Sequence, residues 1–187
     1  MTNVSAGVAR FGEAPPVPGF IESQFSPLVK AVVDACVTEA GGVPGERTGI
    51  LLVTTFGDST TTDTASRRQL AGQVHNPLLF YQSVPTSILG HVTREHRITG
   101  PICCISVLDS PISQALEMAA MMIADGDIEQ VLLIAVELAA TERVFAAWQR
   151  LAGVVAPPAR DGAVAMLVRA ASDDLGHLGS FASLAVS

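Results

Sequence analysis

Apolar positions in this chain come in two kinds, short unbroken runs and longer stretches that repeat every three or four residues. The runs are GILLVTTF at 49–56, ICCISVL at 102–108, VLLIAVE at 131–137 and AVAMLVR at 163–169, with a shorter one, VSAGV, at 4–8. Such runs predict strands, and the uninterrupted ones predict burial on both faces of a layered sheet. The repeating stretches lie between them. Leu28, Val32, Ala35, Cys36 and Ala40 form a stripe that opens at Ser26-Pro27, with serine as cap, and stops at Gly41-Gly42. Ile112, Ala115, Leu116, Ala119, Met122 and Ile123 form a second stripe, opened by a turn at Asp109-Ser110 and closed by Asp125-Gly126-Asp127. Helices are also predicted over Thr60–Gln73, over 84–96, and over TERVFAAWQRLAG with Val144, Trp148 and Leu151 on one side. A Pro/Gly-rich loop, GEAPPVPG, fills 12–19. Strand, helix and strand with short links is the grammar of an α/β fold.

Composition agrees with that reading. The 187 residues are 49% hydrophobic and 16% charged, and only 5% are aromatic. This length suits one domain over 1–187, and the low charge leaves part of the surface to be covered by a partner. The net charge is −7 and the basic residues are scattered, so nucleic acid is not an expected partner. No apolar run is long enough for a membrane span and no signal-peptide pattern opens the chain. Cys36, Cys103 and Cys104 are an odd set for disulfides, which points to a reducing cytoplasm. Neither metal-ligand spacing nor a phosphate-binding glycine loop is present, so no metal or cofactor is expected.

Three segments resemble the β-ketoacyl synthases of the thiolase superfamily. In HNPLLFYQSVPTSILGHV at 75–92, Asn76, Pro77, Phe80, Ser83, Pro85 and Gly90 match the family, while Thr86 stands where asparagine is usual. The segment 98–137 has Gly100-Pro101, a strand, a helix start, an alanine-rich helix and a strand ending in Glu137, in the family's order. Asp161-Gly162-Ala163 before a Val/Leu strand is similar to the family's Glu-Gly-Ala. The resemblance implies a half thiolase fold, a five-stranded mostly parallel sheet with helices on both faces.

Two departures bear on function. The resemblance puts Asp109 on the nucleophile position, within VLDSPIS, where the family has cysteine. Cys103 and Cys104 lie too early, inside a predicted strand, and are expected to be small buried hydrophobes. The family's two catalytic histidines belong to a second half that this sequence does not contain. His91 and His96 are five apart and point different ways on a helix, and His177 lies in a Gly-rich loop. No catalytic residue is therefore expected, and Asp109 or Ser110 reads as a helix cap. A thiol carries an acyl group as a thioester, whereas a carboxylate would form only a hydrolysis-prone anhydride.

Four readings follow. One is a non-catalytic ketosynthase-like subunit, similar in role to chain-length-factor partners in polyketide or fatty-acid synthesis. The others are a stand-alone thioester hydrolase or cyclase using Asp109 or a histidine, a self-associating structural or regulatory protein, and a remnant without a role. The first implies a homodimer or a heteromer with a full-length ketosynthase, and an acyl carrier protein as a further contact. The resemblance places strand 102–108, with no charge or proline to guard an edge, at the subunit contact. It makes helix 111–124 a second apolar contact surface.

Overall fold

The computed structural model describes residues 2–73, 77–108, 111–139, 141–151 and 158–170. Five strands form one sheet: β1 (Thr2–Phe11), β2 (Thr48–Val53), β3 (Ile102–Ile105), β4 (Gln130–Glu137) and β5 (Gly162–Ala170). Their order is β1-β5-β4-β2-β3. β2 pairs parallel with both β3 and β4, and β5 pairs antiparallel with both β4 and β1. Every strand except β5 therefore runs the same way. This is the half thiolase architecture that the resemblance implies.

Helices cover both faces because the strands alternate two sets of apolar side chains. On one face Ile50, Leu52, Leu132, Ile134, Ala165 and Leu167 pack against α1 (Phe25–Glu39) and α4 (Leu89–His96). On the other, Leu51, Val53, Val131 and Leu133 meet Ala115 and Ala119 of α5 (Pro111–Ala124). β2 lies between two strands and two helix layers, and all six of its residues are buried. The remaining helices are α2 (Ser59–Leu70), α3 (Pro77–Ser83) and α6 (Glu142–Arg150). Among the described residues no helix is long and apolar enough to cross a membrane.

Local chemistry explains most boundaries, including those that differ from expectation. α1 starts one residue before Ser26, which is buried in the first turn and does not cap it. Nor does the side chain of the cap residue Gln24; just before it, Ser23 Oγ accepts from the Phe25 N–H at 3.2 Å. The buried face of α1 is Leu28, Val29, Val32, Val33, Cys36 and Val37, whereas Ala35 is exposed. The larger valines win the core because they bury more apolar area than alanine. At its far end Gly41 and Gly42 take φ of 72° and 101°, and Gly42 N–H bonds back to Val37 O at 2.9 Å. Glycine reaches this left-handed turn without a steric penalty. Gly100 serves another purpose, since a Cβ there would lie 2.3 Å from Thr48 O and push β3 away from β2.

Strands β2 and β3 are shorter than their apolar runs. β2 ends at Val53, and the hydroxyl of Thr54 accepts from Gly57 N–H at 3.1 Å. Thr54 N–H still donates to Ile105 O at 3.2 Å and Ser106 donates its hydroxyl to Thr55 O at 2.8 Å, so one more main-chain bond and then side chains hold the ends of both runs. α2 is capped by Asp58, which accepts from Thr61 N–H at 3.0 Å. α3 covers Leu78, Leu79, Phe80 and Tyr81, which the sequence pattern leaves unassigned, and the stretch expected as one helix over 84–96 opens with a 3-10 turn at Pro85–Ile88.

Candidate functional site

The carboxyl ends of β2 and β4 meet the amino end of α5 and one side of α6 around a cavity of about 190 Å³. Its walls are chiefly apolar: Val107, Ile112, Ala115, Leu133, Ala135 and Met166. Two side chains with oxygen atoms line it, Thr55 just beyond β2 and Glu137 at the last position of β4. Thr55 donates its backbone N–H to Glu137 Oε1 and its hydroxyl to Val107 O at 3.2 Å. Burial pushes the Glu137 carboxyl above its ordinary value, and the bonds from Thr55 offset only part of that rise.

α6 closes the cavity with Trp148, which is buried and meets the Phe56 ring edge-on at 5.3 Å. Its indole N–H has no hydrogen-bond partner among the described residues. α6 is held by Thr141, which caps it and donates to Asp63 Oδ2 at 2.8 Å, and by Arg143, whose Nε lies 2.6 Å from Asp63 Oδ1. Asp161, from the Asp-Gly-Ala segment, accepts from Ala139 N–H at 2.7 Å and so ties the exit of β4 to the entry of β5.

Asp109, on which the sequence reading turns, lies outside the described residues, as do Ser110, His75, Asn76 and His177. The other histidines are not brought to the cavity. His96 Nε2 is 2.9 Å from Asp34 Oδ1 in a cluster that also joins Lys30 to Asp34 and Glu95. His91 meets the Phe20 ring edge-on at 5.5 Å. Both sit on α4, across the sheet from α5. Ser83 donates to Phe80 O at 2.8 Å and Thr86 is exposed; neither lines the cavity.

The expectation of two buried cysteines in β3 needs correction. Cys103 is half-buried against the α5 side, but Cys104 is exposed. The reason is topological, because among the described residues β3 ends the sheet and is bonded on one side only, to β2. Ile102, on the same face as Cys104, is 47% exposed. α5 likewise exposes Ile112 at 49% and Met121 at 56%. Among the described residues no group of three His, Cys, Asp or Glu side chains is placed to hold a metal ion.

The model of the β-ketoacyl synthase N-terminal domain matches residues 24–166, most of the chain. The chain belongs to the β-ketoacyl synthase N-terminal domain family. No curated protein matches its sequence significantly. Solved structures of similar fold include a ketosynthase (ApeO) in complex with its chain length factor (ApeC) from Xenorhabdus doucetiae, with 15% identity and a TM-score of 0.69. That match covers 92% of this chain and 80% of the matched one, so the two are of similar length. The ishigamide ketosynthase/chain length factor matches at 18% identity and TM-score 0.65, over 83% of this chain and 46% of that one. A β-ketoacyl synthase from Burkholderia phymatum STM815 matches at 18% and 0.61, over 83% and 47%. This ketosynthase-fold chain thus spans less than half the length of those two relatives.

Proposed function

We propose that this chain is a non-catalytic ketosynthase-like subunit that supports a condensing enzyme of polyketide or fatty-acid type. The observation that carries the reading is that both thiols near the expected nucleophile position belong to a strand. The resemblance puts Asp109 on that position, while Cys103 and Cys104 belong to β3, paired with Leu51 and Leu52. A carboxylate at the helix start is a poor acyl carrier. Two of the similar structures contain a ketosynthase together with a chain length factor, and the first contains a matched chain close to this one in length. Those pairings are the model for a heteromer with an intact ketosynthase, with an acyl carrier protein as a further contact in the cytoplasm.

Two surfaces support association. The β1 edge carries Arg10 and an irregular register between Val4 and Ala6, both of which discourage strand addition. The β3 edge, ICCI, has neither device. α5 adds the second surface through Ile112 and Met121. Covering about 400 Å² of apolar area contributes on the order of 10 kcal/mol before association costs. Copurification of the chain with ketosynthases encoded beside it, followed by light scattering, tests the reading. A defined heteromer is the expected result; a stable monomer that retains neither a ketosynthase nor a carrier protein overturns it.

A further inference from the structure

We propose that Cys104 is a redox-sensitive thiol that links two copies of this chain by a reversible disulfide across their β3 edges. This inference concerns two copies of the chain alone and does not rest on the subunit reading. β2 sets the orientation of β3. Ile50 N–H donates to Pro101 O at 2.9 Å and Thr54 N–H to Ile105 O at 3.2 Å, with Cys103 paired to Leu51 between them. Main-chain groups alternate along a strand, so those of Pro101, Cys103 and Ile105 face β2, and those of Ile102 and Cys104 face outward. The edge thus offers the donor and acceptor of Cys104 together with its exposed thiol.

The occupant that fits this edge is a second copy. The chain carries a net charge of −7, yet residues 101–108 carry none, so two copies can meet here without opposing like charges. An antiparallel pair about a twofold axis at Cys104 sets this residue opposite itself, where the two exchange both main-chain hydrogen bonds. Their Cα atoms are then about 5.5 Å apart. A disulfide needs a Cα separation of about 4.4–6.8 Å. Directly opposed side chains stand on one face, so the two sulfurs meet. Moving the axis to Cys103 would oppose that residue to itself instead, but its thiol is half-buried on the α5 side.

The oxidant is a small disulfide such as glutathione disulfide. Cys104 of one copy gives its proton to solvent and attacks one sulfur, forming a mixed disulfide and releasing a glutathione thiolate. Cys104 of the second copy, deprotonated likewise, attacks the protein sulfur of that mixed disulfide and releases the other glutathione. The two protons end on the two thiolates, so two protein thiols are oxidised and one small disulfide is reduced. Burial and the neighbouring Cys103 raise the Cys104 thiol, so exchange is faster above neutral pH.

The full chain treated with glutathione disulfide at about pH 8.5 should form a dimer on non-reducing electrophoresis, reversed by dithiothreitol. Peptide mass spectrometry should find Cys104 joined to Cys104. Cys104→Ser should abolish the dimer, whereas Cys36→Ser and Cys103→Ser should keep it. Ile102→Lys leaves the thiol in place and charges the edge. Its dimer should form about tenfold more slowly, while iodoacetamide labels its Cys104 at a rate within about threefold of the parent. Circular dichroism confirms the fold of each variant. A chain that stops at the mixed glutathione disulfide, a link through another cysteine, or a dimer rate unchanged in Ile102→Lys overturns the proposal.

Discussion

The backbone N–H of Thr55, just past the end of β2, donates to the carboxyl of Glu137 at the end of β4. β2 and β4 are neighbours in register up to Val53 and Ala135, so this bond continues the pairing after the ladder has stopped. It brings a carboxyl into an otherwise apolar cavity and holds it half-buried there.

Because burial raises the Glu137 pKa above its ordinary value of 4.5, the folded state holds this proton more tightly than the unfolded chain does. Its contribution to stability is full below the unfolded value and is lost as pH rises through the folded one. Asp58 is shifted in the same direction, chiefly by burial, and adds to the same slope. Urea denaturation of Glu137→Gln should therefore show a flatter decline than the parent protein as pH is raised from about 4 to 7. Parallel curves for the two proteins would show that Glu137 does not titrate in this way.

Asp58 joins the start of α2 to the segment before α1. It accepts from Ser23 Oγ at 2.6 Å, from Thr61 N–H at 3.0 Å and from Thr61 Oγ1 at 2.8 Å. Asp58→Ala removes the cap and leaves buried donors without an acceptor, which should cost about 2 kcal/mol. Asp58→Asn keeps one carbonyl oxygen for the cap and should cost less. Equilibrium unfolding of the three proteins checks that order.

The three thiols should differ in reactivity. Burial, with a smaller push from Glu39, raises Cys36 to about 11, so almost none of it is thiolate near neutral pH. Cys104 is exposed and Cys103 half-exposed. In native protein without a partner, iodoacetamide should label Cys104 first and Cys36 last, as read by peptide mass spectrometry. If β3 is the contact edge, a bound ketosynthase should protect Cys104.

Ile102→Lys places a charge on the exposed face of β3. It should leave thermal stability within about 0.5 kcal/mol, since little burial is lost, yet weaken association at least tenfold if the edge is the contact. Light scattering and copurification measure the second effect, and unfolding curves the first. Unchanged association would move the contact elsewhere.

Asp109→Cys in the isolated chain should give no ketoacyl product, because a thiol alone lacks the general acid–base partners that condensation needs. His91 and His96 are across the sheet from α5 and cannot stand in for them. Product detected by mass spectrometry from this variant alone would refute that account of the site.

The order of strands and helices was legible in the sequence because it depends on local periodicity. Alternation between 3.6-residue stripes and unbroken runs located all five strands and the stripes that became α1 and α5, and Gly41-Gly42 marked the end of α1 before any packing was known. Glu137 was visible too, as the residue ending a strand. Its partner Thr55 was not, since it was read as part of an apolar run and meets Glu137 across a separation of 82 residues. The resemblance put strand 102–108 at a subunit contact, but its periodicity could not, and the tertiary structure shows β3 with one neighbour, β2, among the described residues. The same four residues, ICCI, would be buried in the middle of a sheet, and nothing in their sequence says how many neighbours they have. That choice set the exposure of Cys104, just as the crossing of the sheet by α4 took His91 and His96 away from the cavity. Periodicity reports which face of an element is apolar; only the assembled layers determine whether that face is covered.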